Sequence, residues 1–208
     1  MLWQVAHLLD TQGIESAVLC GHSIGGKVAM TTALLHPERV ERLLVLDIAP
    51  VAYEASEPQW EAIEAVVQAM RSVKLTAVRS KRDADMQLSK SVQDAGLRAF
   101  VLMNLIRSAG EADDAAAFQW RVNLPAIVDA LPALAKWDGA DGAVFARNTL
   151  FVGGGKSRFL RSSHLPAIEE HFSRFSFASI RTADHWIHAD EPDALLLIAM
   201  RFLAAKAS

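Results

Sequence analysis

Cysteine, long apolar runs and clustered positive charge are all scarce in this chain, and each scarcity argues against a class of protein. The single cysteine, Cys20, cannot form an internal disulfide, which fits a reducing compartment, so we expect a cytoplasmic protein. No apolar stretch reaches the ~20 residues that a membrane-spanning helix needs. The formal net charge is −3 and the basic residues form no run, so nucleic-acid binding has no electrostatic support.

The residues that are present suffice for one globular domain. The chain has 208 residues, of which 51% are hydrophobic and 22% charged, and this is enough for a sizeable core. Short continuous apolar runs are typical of strands that are buried on both faces of a parallel sheet. Such runs lie at residues 17–20, 43–46, 149–152 and 177–180. Cys20 falls in the first of them, and we expect it to be buried there as a small hydrophobe.

Segments with helical spacing alternate with these runs. They lie at residues 1–11, 26–35, 166–172 and 192–204. Alternation of this kind predicts an α/β fold, with a mostly parallel sheet and helices on both of its faces. We expect residues 1–50 and 141–208 to form the two parts of this core.

Between these two parts, residues 51–140 have a different character. Strand-like runs disappear, and helical periodicity covers residues 60–73, 83–93, 96–107 and 125–135. We expect a helical insertion that covers the sheet. Its acidic stretch at residues 110–114 is expected to be a solvated loop.

The sequence from Gly21 to Gly25 has the form G-x-S-x-G. An apolar run precedes it and a helical segment follows it, which is the context of a nucleophile elbow, where a sharp turn raises the Ser23 hydroxyl above the sheet. We expect Gly21 and Gly25 to lie where a Cβ atom would collide with a neighbouring element. The backbone N–H of Ile24, at the start of the helix, is the expected oxyanion donor.

A serine nucleophile needs a base, and in this arrangement a histidine follows the last strand. The loop after residue 180 contains two, His185 and His188. His185 is favoured because it lies nearer the strand end, with Trp186 beside it. His188 lies near the start of the final helix, where a positive charge is disfavoured and a structural role is expected.

A metal site at this loop is not favoured. His185, His188 and Asp190 lack the H-E-x-x-H spacing on a helix, and no remote cluster of ligands accompanies them. We expect no metal and no cofactor.

The acid that would orient the histidine is less evident. The loop after residues 149–152 carries no carboxylate before Glu169. Asp47 ends the strand next to the nucleophile strand, and because adjacent strands lie ~4.8 Å apart, its carboxylate is expected to reach a histidine above Ser23. Asp129 and Asp184 are the weaker alternatives. Ser23, His185 and Asp47 would then perform acyl transfer as nucleophile, base and orienting acid.

The insertion carries apolar residues at helical spacing, most of which we expect to form its own core. A few are expected to line an acyl pocket, since ligand sites in such folds lie beyond the carboxyl ends of the strands. The residues expected to contact substrate are His22, Trp60, Met103 and Trp186.

Several of these segments together resemble the α/β-hydrolase superfamily, and within it an esterase group that includes YbfF-type esterases and abhydrolase domain-containing protein 11. They are residues 21–27, 47–51, 104–105, 120–124 and 185–190. The resemblance implies an α/β-hydrolase fold with a helical cap and no cofactor, acting on carboxylic esters or thioesters. It also implies that the acid is the aspartate of the D-I-A-P-V segment, which is Asp47 here. Asp184 departs from the pattern, because relatives usually carry glycine at this position.

The front of the chain also departs from the family pattern. The resemblance implies early strands and a His-Gly loop that gives a second oxyanion N–H, whereas about 22 residues precede Ser23. We therefore expect either a start further upstream or a shortened form of the fold. In the shortened form the second oxyanion donor is missing, activity is low, and an exposed sheet edge favours self-association.

The expected activity is hydrolysis of short to medium acyl esters, with thioesters as a further possible class, through an acyl-enzyme. The alternative is a catalytically impaired hydrolase-like protein that acts through protein association. A third possibility is other chemistry on the same scaffold, such as cofactor-free haloperoxidation or carbon–carbon bond cleavage, which the three residues do not separate from ester hydrolysis.

Overall fold

A computed structural model describes residues 2–108, 118–137, 139 and 142–205. The chain divides into two compact units. The first contains Met1–Ala52 and Lys136–Ser208, and the second contains Tyr53–Ala135. The predicted acidic loop at residues 110–114 lies outside the described residues, so its solvation stays a prediction.

Helices and strands alternate along the first unit, and the second unit is mostly helical. The helices are α1 (Leu2–Thr11), α2 (Ile24–Leu35), α3 (Pro58–Ser72), α4 (Lys81–Leu88), α5 (Ala95–Leu102), α6 (Leu124–Ala135), α7 (Leu165–His171), α8 (Ile187–Asp190) and α9 (Pro192–Ala204). The strands are β1 (Ala17–His22), β2 (Val40–Leu46), β3 (Leu105–Arg107), β4 (Phe118–Trp120), β5 (Thr149–Gly154) and β6 (Phe175–Ile180). No helix among the described residues is long and apolar enough to cross a membrane.

The sheet of the first unit has four strands in the order β1-β2-β5-β6, and all of its pairs are parallel. Its central strands are apolar on both faces, and every residue of β5 is buried. Helix α2 packs on one face, where Val45 lies, and α9 packs on the other over Leu44 and Leu150. The predicted parallel sheet with flanking helices is confirmed. All four strands end at the same edge, so the loops that follow them lie together there.

Strand β1 lies at the edge of this sheet, and this corrects one prediction. Cys20 is exposed rather than buried. It is paired in register with Leu44, and their side chains share the face that α9 covers over β2 and β5. The covering helix packs against the inner strands, so Val18 and Cys20 of β1 are left exposed on that face.

The second unit is not entirely helical, which corrects a second prediction. Helix α5 ends at Leu102, and the chain then forms the short antiparallel pair of β3 and β4. The sequence predicted helix as far as residue 107. Leu105 pairs with Trp120 and Arg107 with Phe118, and Leu105 is fully buried while Arg107 is exposed. The core of the unit includes Trp60 and Val101.

Candidate active site

The turn between β1 and α2 has the strained geometry of a nucleophile elbow. Ser23 has φ 53° and ψ −124°, a conformation that costs a non-glycine residue of order 1–3 kcal/mol. The surrounding backbone holds it there: the N–H of Ser23 donates to the carbonyl oxygen of Leu46 on β2, at 2.9 Å, and its own carbonyl accepts from Gly26. The turn therefore presents the Ser23 side chain at the carboxyl edge of the sheet.

The glycines of this turn are partly different from those predicted. A Cβ atom on Gly21 would overlap the backbone of Gly25, as expected. A Cβ atom on Gly25 would meet nothing within 4 Å, so the expected collision at Gly25 is wrong. The second crowded position is Gly26, where a Cβ atom would lie 2.5 Å from Cγ2 of Ile48. The helix approaches the sheet most closely at Gly26, one residue beyond the motif.

His185 lies in the loop after β6, and its ring joins the two other predicted residues. Its Nδ1 lies 2.8 Å from Oδ2 of Asp47, and its Nε2 lies 3.1 Å from Oγ of Ser23. Because a carboxylate only accepts hydrogen bonds, Nδ1 carries the proton in the neutral ring. Nε2 is then free of its proton and accepts from the Ser23 hydroxyl, as a general base must.

Asp47 follows β2 directly and is completely buried. Its backbone has φ 49°, a left-handed conformation that is uncommon for a non-glycine residue. Its Oδ1 accepts from the backbone N–H of Gly154 at 3.0 Å, and its Oδ2 accepts from the Ser157 hydroxyl as well as from His185. A buried carboxylate needs such donors, since desolvation would otherwise disfavour its charge.

Ser157 is the residue that the sequence reasoning missed. It is buried in the loop after β5, where only a carboxylate was expected. The backbone N–H of Phe159 donates to its Oγ at 3.1 Å, so the hydroxyl proton points to Asp47. The signal that was available is a small hydroxyl residue soon after Gly153-Gly154-Gly155, in the loop where an acid was expected.

Aromatic rings enclose the imidazole of His185. The ring of Phe159 lies 4.2 Å from it and the ring of His22 lies 4.7 Å from it, between centroids. Trp186 lies 5.6 Å from it at a steep angle. Burial, followed by the charges of His185 and His188, lowers the pKa of His22, although the carbonyl of His185 and Asp47 act the other way.

The alternative residues lie elsewhere. His188 is exposed at the start of the last helices, and its ring contacts His22 rather than Ser23. Asp184 accepts from the backbone N–H of its neighbour His185. Asp129 is exposed on α6 in the second unit, beside a cavity of about 420 Å³. No group of three or more potential metal ligands occurs within the described part of the chain.

The remaining predicted residues have simple surroundings. Ile24 is the first residue of α2, where backbone N–H groups have no partner within the helix. Trp60 is buried in the second unit, and its indole N–H donates to Glu64 at 3.0 Å. Met103 is 62% exposed in the same unit. Substrate contact by Trp60 and Met103 stays a prediction.

With this geometry in place, comparison with known proteins decides the family. A family model described as the alpha/beta hydrolase fold matches residues 1–192. The chain belongs to the α/β-hydrolase fold family. The predicted resemblance and the predicted fold class are therefore both confirmed.

The relatives of this chain include proteins named as lipases and esterases. It is 37% identical over 207 residues to the sn-1-specific diacylglycerol lipase ABHD11 of Danio rerio. The aligned part covers 98% of this chain and 62% of the relative. It is 26% identical to Esterase YbfF of Escherichia coli strain K12, over 98% of this chain and 73% of the relative. The chain thus spans about three fifths of the length of the ABHD11 relative.

A solved structure extends the comparison to three dimensions. The chain matches a structure titled "Marine microorganism esterase" with a TM-score of 0.87 and 28% identity. The match covers 95% of this chain and 74% of that one. The structural likeness agrees with the family to which the chain belongs.

Proposed function

We propose that this protein is a serine hydrolase that cleaves carboxylic esters through an acyl-enzyme. The observation that carries the proposal is the continuous chain of hydrogen bonds from the Ser23 hydroxyl through the His185 ring to the buried carboxylate of Asp47. Such a chain activates a serine that is otherwise a poor nucleophile.

The reaction follows from the protonation states of these groups. His185 Nε2 takes the proton of the Ser23 hydroxyl while Oγ bonds to the ester carbonyl carbon. As the tetrahedral intermediate collapses, the carbon–oxygen bond to the alcohol breaks, and His185 returns the proton to that alcohol. Water then attacks the acyl-enzyme by the same route and releases the acid. Asp47 keeps Nδ1 protonated and stabilises the imidazolium that forms in each step.

The negative oxygen of the intermediate needs hydrogen-bond donors, and the proposal assigns one of them to the N–H of Ile24. Helix α2 starts at this residue, and the positive end of its dipole faces the same point. A second donor belongs to the family pattern, in a His-Gly loop. Loss of one such donor typically slows turnover by ~10²–10³.

The substrates proposed are esters of short to medium acyl chains, and thioesters of the same acids. The esterase and lipase names of the relatives support the ester bond. Trp186 lies beside the His185 ring and is proposed to contact the substrate. His22 lies beside the same ring, where the sequence also predicted substrate contact. Substrate contact by Met103 and Trp60 stays a prediction.

A fluorophosphonate probe tests the proposal, because it reacts with an activated serine even where turnover is slow. We expect the 208-residue chain to be labelled and Ser23→Ala to be unlabelled, whereas Ser163→Ala, an exposed serine of the same unit, labels like the parent. Hydrolysis of p-nitrophenyl acetate, butyrate, octanoate and palmitate then gives the acyl preference. Equal labelling of the parent and Ser23→Ala would contradict the proposal.

One observation favours the second candidate function, a catalytically impaired protein that acts by association. Strand β1 is at the edge of the sheet, with Val18 and Cys20 exposed. A free edge is a template for pairing with another chain. Light scattering across a range of concentrations tests this, and an unlabelled Ser23 together with a stable dimer would favour association over hydrolysis.

A further inference from the structure

The ring of His22 makes a contact that substrate binding does not require. Its Nε2 lies 2.8 Å from the main-chain carbonyl oxygen of His185. A carbonyl oxygen only accepts, so Nε2 must carry a proton and donate it. The tautomer of His22 is thereby fixed, with Nδ1 unprotonated in the neutral ring. The contact joins residue 22, next to the nucleophile, to the backbone of the histidine that activates it.

The topology of the sheet explains why this contact matters. Ser23 follows β1 and His185 belongs to the loop after β6, and these are the two outermost strands in the order β1-β2-β5-β6. Three strand spacings of ~4.8 Å separate them, so the loop must cross the ends of β2 and β5 to bring the imidazole to Ser23.

Other hydrogen bonds fix this loop mainly on its own side of the sheet. The backbone of Ala183 accepts from Lys156 in the loop after β5 and donates to Ile180 at the end of β6. The N–H of Asp184 donates to Asp190 on α8. At the far end, Asp47 holds the ring of His185, and the bond from His22 holds its main chain.

We propose that His22 is a positioning residue, whose Nε2–H binds the His185 carbonyl and holds the loop so that the imidazole faces Ser23. This inference rests on the proposed function. In this role His22 acts through His185 instead of contacting the substrate. His22 is the first variable residue of the G-x-S-x-G turn, and it helps to hold the base, His185, in place.

The electrostatics are consistent with this role. Burial lowers the pKa of His22, and the neighbouring His185 and His188 lower it further, against the opposing effects of the His185 carbonyl and Asp47. A neutral His22 places no positive charge beside the imidazolium that forms on His185 during the reaction. The centroids of the two rings are only 4.7 Å apart, so a charge on both would be unfavourable.

The test compares two replacements that differ in the donor. His22→Phe keeps a flat ring without an N–H, and His22→Gln places an amide N–H near the position of Nε2. We expect His22→Phe to lower kcat and the labelling rate by about 10- to 100-fold with KM within about twofold, because small misplacements of a catalytic group cost this much. We expect His22→Gln to recover to within about threefold of the parent. The control His36→Phe, at a half-buried histidine, should match the parent. Melting curves establish that each variant is folded.

Three kinetic results would overturn the inference. They are parental rates in His22→Phe, equal impairment of His22→Gln and His22→Phe, and a raised KM with unchanged kcat, which indicates substrate contact. A second arm does not depend on activity. Long-range ¹H–¹⁵N spectra of the parent should show His22 neutral and protonated at Nε2, and a proton at Nδ1 instead would overturn the inference. A parent chain that is not labelled at Ser23 contradicts the proposed function, while these spectra still decide the hydrogen bond.

Discussion

Two neighbouring loops at the carboxyl edge of the sheet contribute different groups to the candidate site. The loop after β2 supplies a carboxylate, Asp47, whereas the end of β5 and the loop after it supply two hydrogen-bond donors, the Gly154 N–H and the Ser157 hydroxyl. A carboxylate was expected first in the loop after β5, and the one that bonds to His185 follows the neighbouring strand β2 instead. In this chain β5 and its loop supply the donors that hold that carboxylate.

The largest effect should come from the carboxylate itself. We expect Asp47→Asn to lower kcat and probe labelling by about 10⁴-fold, because an amide no longer holds His185 in the tautomer with Nδ1 protonated. Asp129→Asn, at the exposed alternative on α6, should have parental rates. The measurement is the labelling rate of Ser23, and the reverse order of the two effects would assign the acid to Asp129.

Removing a group that donates a hydrogen bond to Asp47 should lower the labelling rate less than changing Asp47 itself. Ser157→Ala removes one of the hydrogen bonds to a buried charge, and such bonds are worth about 1.5–3 kcal/mol, so we expect a 10- to 100-fold lower labelling rate. Exposed Ser163→Ala is the control in the following segment. Parental rates in Ser157→Ala would show that Gly154 alone is sufficient to hold Asp47.

The packing beside Asp47 can be tested with a pair of glycines. An added Cβ at Gly26 would press on Ile48, which follows Asp47, whereas the same atom at Gly25 meets open space. We expect Gly26→Ala to lower Tm by about 3–10 °C, from an overpacking cost of 1–3 kcal/mol, and Gly25→Ala to change it by about 1 °C or less. Thermal unfolding of the two variants measures this, and equal Tm values would contradict the difference in packing.

The smallest effect concerns pH. Because the pKa of His22 is lowered in the folded state, the unfolded chain binds the proton first as pH falls below about 6.5. The contribution of His22 to the free energy of unfolding is therefore present at neutral pH and is lost as the pH falls below about 6.5. The groups facing His22 are His185, His188 and Asp47, and all three are present both in the parent and in the variant His22→Gln. We expect Tm of His22→Gln to fall less steeply between pH 7 and 5 than Tm of the parent, and parallel curves would contradict this.

Most of the sheet and the three central residues could be predicted from sequence, because each leaves a local signal. Buried strands are continuous apolar runs, the elbow is a motif with a strand before it and a helix after it, and His185 directly follows a strand. Asp47 was favoured by strand adjacency, and it is bonded to His185 in the structure. Its catalytic role, like the roles of Ser23 and His185, stays a proposal.

The features that were missed depend on contacts between distant segments. The importance of Ser157 depends on the hydrogen bond that its hydroxyl donates to Asp47. Gly26, and not Gly25, is crowded because Ile48 packs against it. Cys20 has the apolar neighbours of a buried strand, yet β1 lies at the edge of the sheet. The strand at Leu105–Arg107 has three residues, too few for the period of two of a strand to be distinguished in the sequence from the end of a helical pattern.

The direct pairing of β2 with β5 has a consequence for how such proteins diversify. The whole second unit is inserted between two parallel strands that are immediate neighbours, so the chain leaves the sheet at the end of β2 and re-enters it at the start of β5 beside it. Asp47 comes before this departure, and Ser157 and His185 come after the return. An exchange of the inserted segment for another of different length or shape would leave the sheet register intact. Related chains can therefore differ in this one module while Asp47, Ser157 and His185 keep their places relative to the sheet.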